Sequence, residues 1–141
     1  MKIVELFSDV AHAFQARMGS EVHLASTNLS HFPVRILAFI ARTPGVQPRD
    51  IVVRSDRDKG QVGRAVRELE SHGLVEREKD TEDGRAYRLH LTHAGREMYD
   101  MLDARREKVV EEMVQHLDER ERSLLIDLLT KMKSGLVAGA K

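Results

Sequence analysis

Glycines and arginines interleave along one short stretch of this sequence, and their spacing is where chemistry is to be sought. In residues 58–75, DKGQVGRAVRELESHGLV, the positions Gly60, Gly63, Arg64, Arg67 and Ser71 fall on one side of a helix of 3.6 residues per turn. Lys59 and Gln61 lie at the start of the same turn. Two absent side chains beside two guanidinium forks form a surface suited to an anionic partner at short range. Gly63 in a helix interior disfavours the helix by about 1 kcal/mol relative to alanine. Close backbone approach to a duplex groove is one reason to keep it. The plainer reading is a surface helix whose arginines are solvated.

The elements that must position these residues are legible on either side. Val62, Ala65, Val66 and Leu69 form the opposite, apolar stripe. Asp58 with Gln61 three residues on reads as a capping box, Gly73 as the left-handed residue that ends the helix, and His72 suits its negative terminus. Upstream, Ser30 caps a predicted helix through Arg42 with Pro33 in its first turn, and Thr43-Pro44-Gly45 makes a turn. Pro48 then opens a short helix carrying Ile51, Val52 and Val53. Two short helices with a tight connection make a helix-turn-helix. Downstream, strands over 74–79 and 86–91 flank a turn at 80–84, a hairpin wing. Arg85 at its tip is placed to meet a backbone or minor groove, and Asp83 beside it reads as support for the wing.

Both ends of the chain read as helical. Residues 2–18 place Ile3, Val4, Phe7, Val10, Ala11, Phe14 and Met18 on one stripe, with Gly19 and Ser20 ending the helix and a polar loop over 21–28. Thr92 caps a long helix over 93–116 with Ala94, Met98, Met101, Leu102, Val109 and Met113 along it. Asp118 and Glu121 form a second capping box, opening a helix with Leu124, Leu125, Leu128, Leu129 and Met132, and 135–141 reads as a frayed tail. The expected fold is mainly α with a small β-hairpin wing. It divides into an N-terminal dimerisation helix and loop (1–28), a winged helix-turn-helix (29–92) and C-terminal dimerisation helices (93–141). The first helix suits equally the core of its own domain or a second copy of the chain, whereas the long charged helix and the leucine-rich one after it carry more apolar surface than a winged helix of this size needs, which points to a homodimer.

Composition narrows the function classes. The 141 residues suit one domain with accessory helices. Lys plus Arg, 23, equals Asp plus Glu, 23, so any contact with nucleic acid rests on a local patch. The absence of cysteine excludes disulfides, thiolate metal sites and thiol redox sensing. No signal-peptide pattern or membrane-length apolar run is present, so a cytoplasmic protein without membrane contact is expected. Neither a nucleophile elbow nor a phosphate-cradling glycine loop occurs, and no enzyme activity or cofactor is expected. One rival is a metal-responsive sensor using His12, His23, His31, His90 and His93, whose spacing also arises by chance. Another is a winged helix that binds a protein partner and no DNA.

The order of elements and the residues themselves resemble the MarR family of bacterial transcriptional regulators. The resemblance rests on DKGQVGRAVRELESHGLVERE, the wing DTEDGRAYRLHLT and the following THAGRE, and runs over about 29–99. It implies a homodimer built from the first and last two helices, gripping a pseudo-palindromic operator. It also implies a repressor that releases DNA on binding a small, often aromatic, effector. Where family members often carry Ser or Thr this chain has Gly60, Gln61 and Gly63, whereas Arg64 matches. Base readout is therefore expected to lean on Gln61, Arg64 and Arg67. The family's paired wing arginines are here Gly84-Arg85, leaving the tip role to Arg85. His12, His31, Phe32 and Arg35 are candidates to line an effector pocket, and each is equally explained as packing or surface.

Overall fold

The structure, a computed structural model, describes residues 1–23, 29–55, 57–82 and 84–139. Its elements run α1 (Lys2–His23), α2 (His31–Arg42), α3 (Pro48–Ser55), α4 (Lys59–Ser71), β1 (Val75–Lys79), β2 (Tyr87–Leu91), α5 (His93–Val114) and α6 (Glu119–Ala138). Internal packing divides the chain into two compact units, Ser20–Arg105 and Met1–Gly19 with Arg106–Lys141.

The unit Ser20–Arg105 is built around α4. Its stripe of Val62, Ala65, Val66 and Leu69 is buried, at 0–4% exposure. Full burial of each such Val or Leu contributes about 1.5–3 kcal/mol, so the stripe fixes the helix's rotation. α2 supplies Ile36, Leu37 and Ile40 to the same core and packs on α4 and β2, while α3 adds Ile51. The Asp58 capping box forms as expected, with Gln61 N–H donating to Asp58 Oδ1 at 2.7 Å and Asp58 N–H to Gln61 Oε1 at 3.3 Å. Gly73, at φ +70°, ends α4, and Leu74 N–H reaches back to the Leu69 carbonyl at 3.0 Å.

β1 and β2 pair antiparallel with Val75 opposite Leu91 and Lys79 opposite Tyr87. A third edge joins them, unforeseen in the sequence. Val46 bridges to Leu89, with Gly45 N–H donating to the Leu89 carbonyl and Leu89 N–H to the Val46 carbonyl, both at 2.9 Å. Gly45 adopts φ +82° to make that approach. At the other end of the hairpin Thr92 donates to the Gly73 carbonyl at 2.5 Å and accepts from Gly95 N–H at 3.0 Å. Gly95 packs so tightly that a Cβ there would overlap the Leu74 carbonyl oxygen.

The unit of Met1–Gly19 and Arg106–Lys141 combines α1, the end of α5 and α6. Val109 is buried, and an open groove of about 380 Å³ is lined by Val10, Ala13, Phe14, Arg17, Val109, Glu112, Met113 and Gln115. Arg17 pairs with Glu112 at 3.2 Å on its rim. Most apolar side chains of α1 and α6 remain uncovered, including Phe7 at 56% and Leu124 at 56% exposure, and α6 buries none of its residues.

Several boundaries differ from the sequence expectation. Gly19 and Ser20 do not end α1, which continues to His23 through the first three residues of the loop expected over 21–28; the remainder, 24–28, lie outside the described residues. A penalty of about 1 kcal/mol per glycine is small enough for the surrounding turns to carry it. The same holds at Gly135: the tail expected to fray is helical through Ala138, with Gly139 as cap. α5 stops at Val114 and not at His116. Ser30 occupies the N-cap of α2 but makes no side-chain capping bond.

Candidate nucleic-acid interface

With its apolar stripe committed to the core, α4 turns the glycine and arginine side outward. Lys59, Gly60, Arg64, Arg67 and Ser71 are exposed, and Gln61 and Gly63 are half-buried. The two guanidinium groups fold back one helical turn over the glycines. A Cβ at Gly60 would sit 3.5 Å from Arg64 Nη1, and one at Gly63 3.4 Å from Arg67 Nη1. Long side chains on a helix lean toward its N-terminus, which carries each arginine onto the residue four positions earlier. The glycines thus give each planar fork a flat seat. Among the described residues neither Arg64 nor Arg67 has a carboxylate partner, so both forks retain their donors for an outside acceptor.

Not every expected reader is equally available. The Gln61 side-chain oxygen accepts from Asp58 N–H, leaving its amide NH2 as the group still able to donate outward. Ser71 Oγ donates to the Glu68 carbonyl at 2.7 Å and so serves its own helix. Arg85 is exposed at the wing tip beside Gly84, while Asp83 lies outside the described residues.

Charge segregates onto this part of a chain whose formal charges balance. Residues 42–67 hold seven basic side chains, Arg42, Arg49, Arg54, Arg57, Lys59, Arg64 and Arg67, against the three acidic ones Asp50, Asp56 and Asp58. Two of the seven are held by aromatic faces: Arg54 lies 5.4 Å from the Phe39 ring centroid and Arg57 4.9 Å from that of Phe32. Phe32 is therefore a platform for a cation, and His31 and Arg35 beside it are exposed. Neither stacking was foreseen, because the partners are distant in sequence: Arg54 of α3 meets α2, and Arg57 reaches α2 from the link between α3 and α4.

The wing has its own supports, also missed in the sequence. Arg77 lies 4.1 Å over the Tyr87 ring and donates to Glu70 at 2.6 Å, tying the end of α4 to the hairpin. At the base of the tip the buried Asp80 accepts from Gln47 Nε2 at 2.9 Å and lies 3.6 Å from Arg88. Arg88 in turn donates to the Gly45 carbonyl at 3.1 Å. A sequence offers no signal for such a pair 33 positions apart.

Among the described side chains, which do not include that of His23, the histidines do not converge. Among the described residues no three His, Asp or Glu side chains gather as a metal site. His90 lies 2.7 Å from Glu78 and His93 3.1 Å from Glu97, each a single pairing. No helix among the described residues is long and apolar enough to cross a membrane.

Comparison with known proteins places these features in context. The MarR family model matches residues 29–86, the stretch containing α2 to the wing tip. The chain is 30% identical over 112 residues to the HTH-type transcriptional regulator YdgJ of Bacillus subtilis (strain 168), covering 79% of this chain and 68% of that one. It is 29% identical over 97 residues to a putative transcriptional regulatory protein for the hcr operon of Thauera aromatica, covering 69% and 58%. Among solved structures, that of MarR aligns with a TM-score of 0.80 at 27% identity over 98% of this chain and 92% of the other. Streptococcus pneumoniae FabT in complex with DNA shares the fold, with a TM-score of 0.81 at 23% identity over 97% and 96%.

Proposed function

This chain belongs to the MarR family of transcriptional regulators, and we propose that it binds a pseudo-palindromic operator as a homodimer and represses from it in the cytoplasm. The observation that carries the reading is the outward side of α4, where Arg64 and Arg67 lie over Gly60 and Gly63 without carboxylate partners among the described residues. A guanidinium fork matches the O6 and N7 acceptors of guanine in a major groove, and glycine lets the helix approach them. In this reading Arg64 and Arg67 face base edges, Lys59 and the donor side of Gln61 meet the flanking backbone, and Arg85 reaches the adjacent minor groove or its phosphates. Asp83 is assigned to support that tip.

The apolar faces left open on α1 and α6 support the homodimer, since exposed patches of this extent mark association surfaces. Two copies of α4 related by a two-fold axis then read two half-sites one helical turn of DNA apart. Family membership further supports release by a small aromatic effector. A mobility-shift titration of the protein against the duplex upstream of its own gene tests the reading. A discrete retarded complex, retained against excess scrambled duplex, is expected; equal retardation of both duplexes would contradict sequence-specific regulation.

A further inference from the structure

A buried carboxylate sits at the base of the wing. Asp80 is the last residue before the tip, closing the loop through its N–H to the Ala86 carbonyl at 3.1 Å. Although charged, it is only 8% exposed, and its two carboxylate oxygens have separate partners. Oδ1 accepts from Glu82 N–H at 3.1 Å and so bends the chain into the tip. Oδ2 accepts from Nε2 of Gln47 at 2.9 Å, with the Arg88 guanidinium 3.6 Å away. Gln47, itself 6% exposed, immediately precedes Pro48, where α3 begins. One carboxylate therefore joins the shape of the wing tip to the start of the helix-turn-helix.

We propose that Asp80 and Gln47 are positioning residues for DNA binding, setting the wing tip and its Arg85 at a fixed place relative to α4. The inference rests on the reading that Arg85 contacts DNA. A two-stranded hairpin is marginal alone, and its tip extends beyond the paired residues Lys79 and Tyr87. A hydrogen bond accepted by a buried carboxylate is the stronger kind, and it has few competing waters. Neither residue needs to touch DNA. Their action is to spare the complex the ordering of a wandering tip when Arg85 engages.

The test uses the full-length chain and the duplex upstream of its own gene, titrated at several salt concentrations. Asp80→Asn removes the charge, and Gln47→Met removes the donor while leaving Glu82 and Arg88 with their acceptor. Each is made alone and together with Arg85→Ala. Because the effect passes through Arg85, each single variant should bind about tenfold more weakly at low salt, with a salt slope shallower by about 1 per half-site. In the Arg85→Ala background the same substitutions should cause no further loss. Equal losses in both backgrounds would assign the pair a merely structural role and overturn the proposal. So would unchanged binding by Asp80→Asn and Gln47→Met when Arg85→Ala binds more weakly. Should Asp80→Asn fail to fold, Gln47→Met carries the same comparison. Unchanged affinity and slope in Arg85→Ala itself would instead remove the DNA contact of the wing, and this proposal with it.

Discussion

Leu37 and Leu128 are the same residue on helices of one chain, yet Leu37 is 0% exposed and Leu128 48%. The contrast extends to the units that hold them. In Ser20–Arg105 the apolar stripes of α2 and α4 meet each other and the hairpin, so the core closes within one copy. In Met1–Gly19 with Arg106–Lys141, Ile3, Val4, Phe7 and Val10 of α1 and Leu124, Leu128 and Met132 of α6 remain open. Hydrophobic patterning is present in both units; among the described residues it is covered within the chain in the first and mostly uncovered on α1 and α6 in the second. A helical stripe in a sequence specifies burial without saying whose surface does the burying.

Removal of residues 2–18 should have the largest effect. Under the proposed assembly the remaining chain loses half of an interface and should aggregate or unfold, as seen by light scattering and circular dichroism. A monodisperse monomer of native helicity would show that the open faces need no partner. A sharper contrast follows from two leucine substitutions. Leu37→Ala should lower unfolding free energy by about 2–5 kcal/mol at any protein concentration, since it leaves a cavity in a closed core. Leu128→Ala should instead act through association, with a denaturation midpoint that depends more steeply on concentration than that of the wild type. If the two behave alike in a dilution series, the units do not differ in the way described.

Smaller effects separate close packing from helix propensity. Gly95→Ala puts a methyl group into the Leu74 carbonyl and should destabilise by about 1–3 kcal/mol in a urea titration. Gly63→Ala has the opposite sign. The added Cβ meets only the movable end of Arg67 at 3.4 Å, so helix propensity should raise stability by up to about 1 kcal/mol while DNA affinity falls. A variant that is more stable and binds DNA as well as the wild type would leave Gly63 without a role in close approach.

The parts of this molecule legible in its sequence are those set by local chemistry. The four buried positions of α4, both capping boxes and the left-handed Gly73 depend on residues within a few positions of each other, and each forms as read. Helix ends marked only by glycine were less secure: α1 runs past Gly19 and α6 past Gly135. Within the candidate site, the exposure of Lys59, Gly60, Arg64 and Arg67 follows from the stripe. The seating of each arginine on the preceding glycine also has a readable spacing of four. By contrast Gln47 with Asp80, Phe32 with Arg57, and Gly95 against Leu74 are tertiary meetings between distant segments. No periodicity announces them.

Arg64 is the residue on which sequence readout by α4 most directly depends. Wild type and Arg64→Ala should be titrated by fluorescence anisotropy against the operator, against operators altered at single guanines, and against a scrambled duplex. Removal of a base-edge fork predicts a loss of about 1–3 kcal/mol per half-site on the operator, with discrimination relaxed at particular guanines and little change on scrambled DNA. An equal loss on every duplex, or no loss at all in a folded dimer, would contradict the claim that the exposed side of α4 reads sequence.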